Sequence, residues 1–303
     1  MKKIFSLFVF MTVLFSAQNR FIYEYKFVPD STNRENVSKE LMYLDVTDKG
    51  STYYSRSTFV RDSTMQAEVE KQIRGGGGNV NFNMKASEQK VNYKVIKDYA
   101  SNKTILNTRI GMDMYKVLED RALTWKISPE KKKIGEFDAQ KATTEFAGRK
   151  WTAWFTEEVP FSDGPYKFKG LPGLIVKIED TTQSHVLELK ASTKYVPLDE
   201  KSKAVAAAGG GERRIVMVGG GFSMGKEEIE ISRQQYKKLF WEDRDDPAKV
   251  LKMMQGRGGV VIEFKDQNGS EISMADAIKR REDTAKEAAK RNNNLIELDV
   301  LKK

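Results

Sequence analysis

Phe21-Ile22-Tyr23-Glu24-Tyr25-Lys26-Phe27 decides the fold class. Phe21, Tyr23, Tyr25 and Phe27 share one side of an extended chain, and Ile22, Glu24 and Lys26 share the other. Side chains alternate with period two along a strand, and aromatic residues suit its pleated, half-buried surface. The stretch therefore predicts a strand with one buried face. Such strands belong to antiparallel sheets, which can keep one face wet.

Working outward, strand-like runs recur every ten residues or so. Residues 41–46 and 52–59 flank the turn Asp48-Lys49-Gly50, and 80–84, 90–99, 104–110, 114–118 and 123–127 follow. Next come 133–146, 150–157, 174–180 and 185–195, the last two joined through Asp180-Thr181-Thr182-Gln183-Ser184. Parallel strands need crossovers of a dozen or more residues, so this spacing predicts an antiparallel meander. Helical composition marks 62–73. Ser232 caps a helix over 233–242, and Asp246-Pro247 opens another to Met254. A charged helix spans 274–291, with Glu282 four before Lys286 and Glu287 four before Arg291. Residues 227–231, 260–265 and 270–273 read as short strands around Asn268-Gly269, a hairpin signal, and 295–301 as a last one. Residues 199–225, rich in glycine and alanine around the apolar 215–218, read as an insertion with one edge strand or hairpin.

The chain has 303 residues, 52 Lys plus Arg against 43 Asp plus Glu, and a formal charge of +9. No cysteine is present, which excludes disulfides, thiolate metal sites and cysteine nucleophiles. The single histidine, His185, excludes multi-histidine metal sites. It heads a strand beside Ser184 and is expected at a surface or edge. Lys2-Lys3, the apolar run 4–15 and Ser16-Ala17-Gln18 form a secretory leader over residues 1–17. That run is too short for a bilayer, which needs about 20 apolar residues. The mature chain, 18–303, is expected to be one domain with no transmembrane segment. Outside the cytoplasm, nucleotide cofactors are scarce and nucleic acid is not an expected partner. No cofactor or metal is expected.

Two motifs are discounted on chemistry. Gly221-Phe222-Ser223-Met224-Gly225 has the form of a nucleophile elbow, but the required histidine should follow it and His185 precedes it. Gly220 to Lys226 approaches a phosphate loop, but Glu227 and Glu228 stand where the hydroxyl should be. Asp243, Asp245 and Asp246 lack the glycine turn and final glutamate of a calcium loop and read as a helix linker.

Residues 134–180 carry a resemblance. Lys141-Ala142, Gly148-Arg149, Ala153-Trp154-Phe155-Thr156, Gly164-Pro165 and Gly170-Leu171-Pro172-Gly173-Leu174-Ile175 together resemble the GLPGLI family. The likeness is specific over this stretch, looser over the N-terminal strands and weak beyond about residue 200. Many members carry a cysteine shortly before the Lys-Ala pair; Asp138-Ala139-Gln140 stands here instead. The resemblance implies an exported protein of the Bacteroidetes cell envelope, a mostly β fold and an association with TonB-dependent outer-membrane transporters.

Read from its residues, the same stretch puts Trp151, Ala153 and Phe155 on one strand face and Trp154 on the other. Leu171-Pro172-Gly173-Leu174 fits a type II turn. Beyond it, Leu174, Val176 and Ile178 are expected to oppose Ile175, Lys177 and Glu179. Arg149, Glu157, Glu158 and Asp163 are the candidates for a polar site. Arg149, Trp151, Trp154, Gly164, Pro165 and the turn 170–175 are the candidates for binding. The expected fold is α+β and mostly β, an antiparallel meander curling into a partial barrel with helices toward the C-terminal half. The expected function is a non-enzymatic envelope protein that binds a peptide, a lipid-like ligand or an outer-membrane transporter. The alternatives are a hydrolase using carboxylates or Ser223, and a purely structural component.

Overall fold

The computed structural model describes residues 18–64, 80–83, 90–111, 113–194, 215–218, 228–255, 264–265 and 271–302. The expected leader, Ser223 with both glycine-rich motifs, and most of 199–225 lie outside them, as do residues 65–73 of the expected 62–73 helix.

The first half supplies β1 (Asn19–Phe27), β2 (Ser38–Val46), β3 (Gly50–Ser55), β4 (Val80–Asn83), β5 (Lys94–Asp98), β6 (Thr104–Ile110) and β7 (Asp113–Leu118). A helix, α1, covers 56–64. It begins where the sequence predicted strand to continue to Phe59. The middle supplies β8 (Lys126–Ile134), β9 (Phe137–Phe146), β10 (Arg149–Thr156), β11 (Leu174–Asp180) and β12 (His185–Lys194). β8 is longer and later than expected, because Gly135 at φ +59° turns the chain directly into β9. The remainder is β13 (Ile215–Val218), β14 (Ile229–Ile231), α2 (Arg233–Asp245), α3 (Lys249–Gln255), β15 (Phe264–Lys265), β16 (Glu271–Ile272) and α4 (Met274–Arg291). Among the described residues no helix is long and apolar enough to cross a membrane.

Twelve strands form one sheet in the order β14-β7-β6-β5-β3-β2-β1-β12-β11-β10-β9-β8. It consists of two antiparallel meanders joined where β1 pairs with β12, rather than the single meander expected, plus one parallel pair, β14 on β7. The connection between β7 and β8 forces this sheet to curl. Laid flat, β7 and β8 would stand ten strand spacings of about 4.8 Å apart, or about 48 Å. The eight Cα steps from Leu118 to Lys126 reach at most about 29 Å. The sheet must therefore roll up, and it stays open with β14 and β8 as its edges.

The concave face holds the main core. Tyr23, Met42, Leu44, Tyr53, Val95 and Ala153 are fully buried there. Each large apolar side chain removed from water stabilises the fold by about 1.5–3 kcal/mol. Filling the concavity is the β10–β11 connection, residues 157–173, in which Asp163 to Phe168 are all buried. Phe168 packs edge-on against Trp151 at 4.8 Å, and Tyr166 against Tyr93 at 5.4 Å between ring centroids. A smaller convex cluster joins Ala139, Trp154 and Val176.

Three expectations about this region are corrected. A β-bulge opposite Trp154 and Phe155 breaks the alternation of β11, so Val176 turns outward to Trp154 while Ile175 enters the concave core with Ile178. The Pro172 bend is not a type II turn: Gly173 N–H donates to the Leu171 carbonyl at 2.8 Å, and Leu174 N–H goes to Val159 at 3.1 Å instead. Residues 295–301 form no strand. Side chains from distant segments grip this stretch, and it ends in a 3₁₀ turn, Leu298–Leu301.

Candidate functional site

The polar residues singled out in the sequence do not converge. Arg149 is buried and donates to Asp180 Oδ2 at 2.9 Å, Asn294 Oδ1 at 2.6 Å and the Leu295 carbonyl at 2.6 Å. It thereby ties the C-terminal segment to the sheet. Asp163 is buried elsewhere, against Lys97 and Tyr99, whose hydroxyl donates at 2.6 Å. Lys97 also donates to the carbonyls of Gly164 at 2.6 Å and Phe168 at 3.1 Å. Glu157 and Glu158 are exposed, and Glu158 accepts from Asp138 N–H at 2.9 Å.

The motif residues are likewise interior. Gly164 lies so close to Ile175 that an added Cβ would stand 2.7 Å from its Cβ. Gly173, at φ +143°, would put a Cβ 2.1 Å from the Thr156 carbonyl oxygen. Pro165, Leu171, Leu174 and Ile175 are buried, and only Pro172 and Gly170 (φ +91°) reach solvent. Trp151 donates from its indole to the Phe146 carbonyl at 3.1 Å. Trp154 is buried on the convex face, with the Lys132 ammonium 3.9 Å from its ring centre.

His185 is buried, not at a surface. Its Nδ1 lies 2.7 Å from the Tyr25 hydroxyl and its Nε2 lies 3.0 Å from the Asn294 carbonyl oxygen. A carbonyl only accepts, so Nε2 carries the proton and Tyr25 donates to Nδ1. Burial, with the Arg149 charge nearby, pushes the pKa of His185 down to about 3. The ring is neutral at physiological pH.

Two clefts open on the concave side. The larger, about 590 Å³, lies between the 157–173 segment and the β7–β8 connection, with Tyr99, Arg121, Phe161, Lys169 and Gly170 in its wall. Apart from Lys169, which bonds only the neutral oxygens of Asn102, its charges are already matched. Arg121 bonds Glu119 at 2.6 Å, Glu297 at 3.0 Å and Asp299 at 2.8 Å; Lys167 bonds Glu119 at 2.8 Å and also Glu297; Arg233 bonds Asp299 at 2.5 Å. Burial alone would raise the Glu119 carboxyl, but Arg121 and Lys167 outweigh it and hold it at about 2. Three cations and three carboxylates so paired make a clamp on the C-terminal segment.

The second cleft, about 420 Å³, lies between the concave face, α2 and the segment 292–300. β1 contributes Tyr25 and Phe27, stacked at 4.7 Å, and β6 contributes Leu106. α2 contributes Tyr236 and Phe240, one turn apart on the same helix face. The sequence fixes this wall locally: Ser232 and Gln235 form a reciprocal capping box that starts the helix. Tyr93 also lines the cleft, and its buried hydroxyl has no partner among the described residues. Such a cleft, apolar with a few polar groups, has the usual form and size of a small-ligand site. The sequence singled out Tyr25 and Phe27 as a buried strand face and discounted His185 and Asp243 as ligands, but named none of the lining from α2 or β6. The i, i+4 pair Tyr236 and Phe240 was the available signal. Among the described residues no group of three or more His, Asp or Glu stands where it could hold a metal ion.

Fold and clefts define a β-rich protein: an open, curled twelve-stranded sheet with an internal connection in its concavity and an aromatic cleft beside it. Residues 145–177 match a family model described as a protein of unknown function (Porph_ging). This stretch covers β10, the buried connection and the GLPGLI residues. No curated protein matches the sequence. Among solved structures, PNGF-II is similar in two crystal forms, at 14% and 15% identity with TM-scores of 0.45 and 0.46. The likeness covers 76% of this chain, which spans about a third of the length of PNGF-II (34%).

Proposed function

We propose that the protein is an exported, non-enzymatic protein of the cell envelope that binds a peptide or lipid-like ligand in the aromatic cleft. The observation that carries this reading is the cleft itself, about 420 Å³ and floored by Tyr25, Phe27, Leu106, Tyr236 and Phe240. The polar groups suited to chemistry support binding over hydrolysis. His185 is locked between Tyr25 and Asn294, Asp163 is held by Lys97, and Asp180 by Arg149. Export is supported by the basic and apolar leader at residues 1–17. An outer-membrane transporter is the proposed protein partner, on the resemblance over 134–180.

The test is to produce the chain with its leader, purify the exported form and identify by mass spectrometry what it carries. Phe240→Ala removes a cleft wall worth about 1.5–3 kcal/mol of burial and is expected to weaken a bound apolar probe about tenfold or more. A protein that emerges empty and takes up no apolar probe defeats the proposal.

A further inference from the structure

We propose that the aromatic cleft selects an amphiphilic anion: an apolar chain ending in a carboxylate, with Arg109 and Lys90 holding the charged end. This rests on the reading of the cleft as a ligand site and deepens it to a ligand class.

Arg20, Lys97, Arg149 and Lys167 are buried and Arg121 is half-buried, and each bonds a carboxylate. Arg109 and Lys90 line the aromatic cleft and are exposed, and their side chains bond no carboxylate among the described residues, although the Lys90 backbone N–H donates to Glu40 at 3.1 Å. Of the acids in the cleft wall, Glu297 is neutralised by Lys167 and Arg121, and burial raises the Asp243 carboxyl above its ordinary range. Among the described residues two cations thus stand beside the apolar floor against one carboxylate, Asp243, that makes no ion pair. A second, independent feature has the same sense. The buried Tyr93 hydroxyl lacks a partner in the cleft wall. An unmade hydrogen bond at a buried hydroxyl is costly, and a carboxylate oxygen would accept from it in a charge-assisted bond. A cationic amphiphile would meet two like charges, and an uncharged one would offer Tyr93 only a neutral acceptor, without the charge assistance of a carboxylate.

The experiment is calorimetric titration of the mature protein, stripped of bound lipid, with decanoate, decanol and decylammonium. Two further arms use a short apolar peptide with a free or an amidated C-terminus. Binding of decanoate or of the free-acid peptide about tenfold tighter than its uncharged analogue is expected, and the better of the two shows which source of carboxylate the cleft prefers. In the double variant Arg109→Gln with Lys90→Gln, both on the surface, that preference should vanish while decanol binding stays within about twofold. Equal binding of acid and alcohol, preference for decylammonium, or a preference that survives the double variant overturns this inference and leaves the cleft a ligand site. Binding of none of the five compounds overturns the site itself.

Discussion

The buried histidine makes acid stability a sharp test of the structure. His185 is the sole histidine, and its pKa is pushed from the ordinary 6.5 to about 3 by burial and the Arg149 charge. The unfolded chain takes up this proton near pH 6.5, and the folded chain does not until about pH 3. More protons on the unfolded state mean stability falls as pH falls through that window, by about 1.4 kcal/mol per pH unit. From pH 7 to pH 5 the loss should be about 2 kcal/mol. The depressed carboxylates lie below this window. Glu119, depressed to about 2, and Glu297, also depressed, contribute stability that is present above pH 4.5 and lost only below it. Urea denaturation at pH 7, 6 and 5 measures the slope. His185→Gln should lie lower throughout, having lost the bonds to Tyr25 and Asn294, but nearly flat across the same range. A wild-type profile parallel to the variant's, or a histidine ring proton titrating near pH 6.5 by NMR, refutes the burial argument.

Other outcomes follow from the same contacts. Gly173→Ala should cost about 3 kcal/mol or more, since its Cβ would stand 2.1 Å from the Thr156 carbonyl oxygen in a backbone conformation that disfavours side chains; a thermal midpoint unchanged from wild type would contradict the packing of the bend. Lys97→Met should cost about 3–5 kcal/mol by stranding the buried Asp163 carboxylate, and adding Asp163→Leu should recover much of it. Denaturation curves for the single and double variants decide this, and equal losses would dismiss the pair as a unit. Lys132→Ala should destabilise by about 0.5–1 kcal/mol through loss of the ammonium over Trp154 and leave probe binding in the aromatic cleft unchanged.

The strands and their faces were readable because alternation is local. Phe21, Tyr23 and Tyr25 announce an inward face that needs no knowledge of neighbours, and the strand boundaries at 104–110 and 174–180 match the sheet. Capping is equally local, as Ser232 with Gln235 shows. The candidate site was far less readable. Tyr25 and His185 meet across 160 positions, and Arg149 reaches Asn294 across 145. A lone histidine at a strand end carries no mark of the tyrosine that will bury it. Nor does Val176 announce the bulge that turns it outward, since that shift exists only against Trp154 on the neighbouring strand.

Hydrophobic period, caps and glycine turns are properties of a few consecutive residues, and they marked most strands and the capped helices, though not the start of α1 or of β8. Strand order, the roll of the sheet, the burial of His185 and the cleft beside α2 depend on groups that approach only when the chain folds. Their free energies come from long-range pairing and desolvation, which leave no trace in any short window of residues.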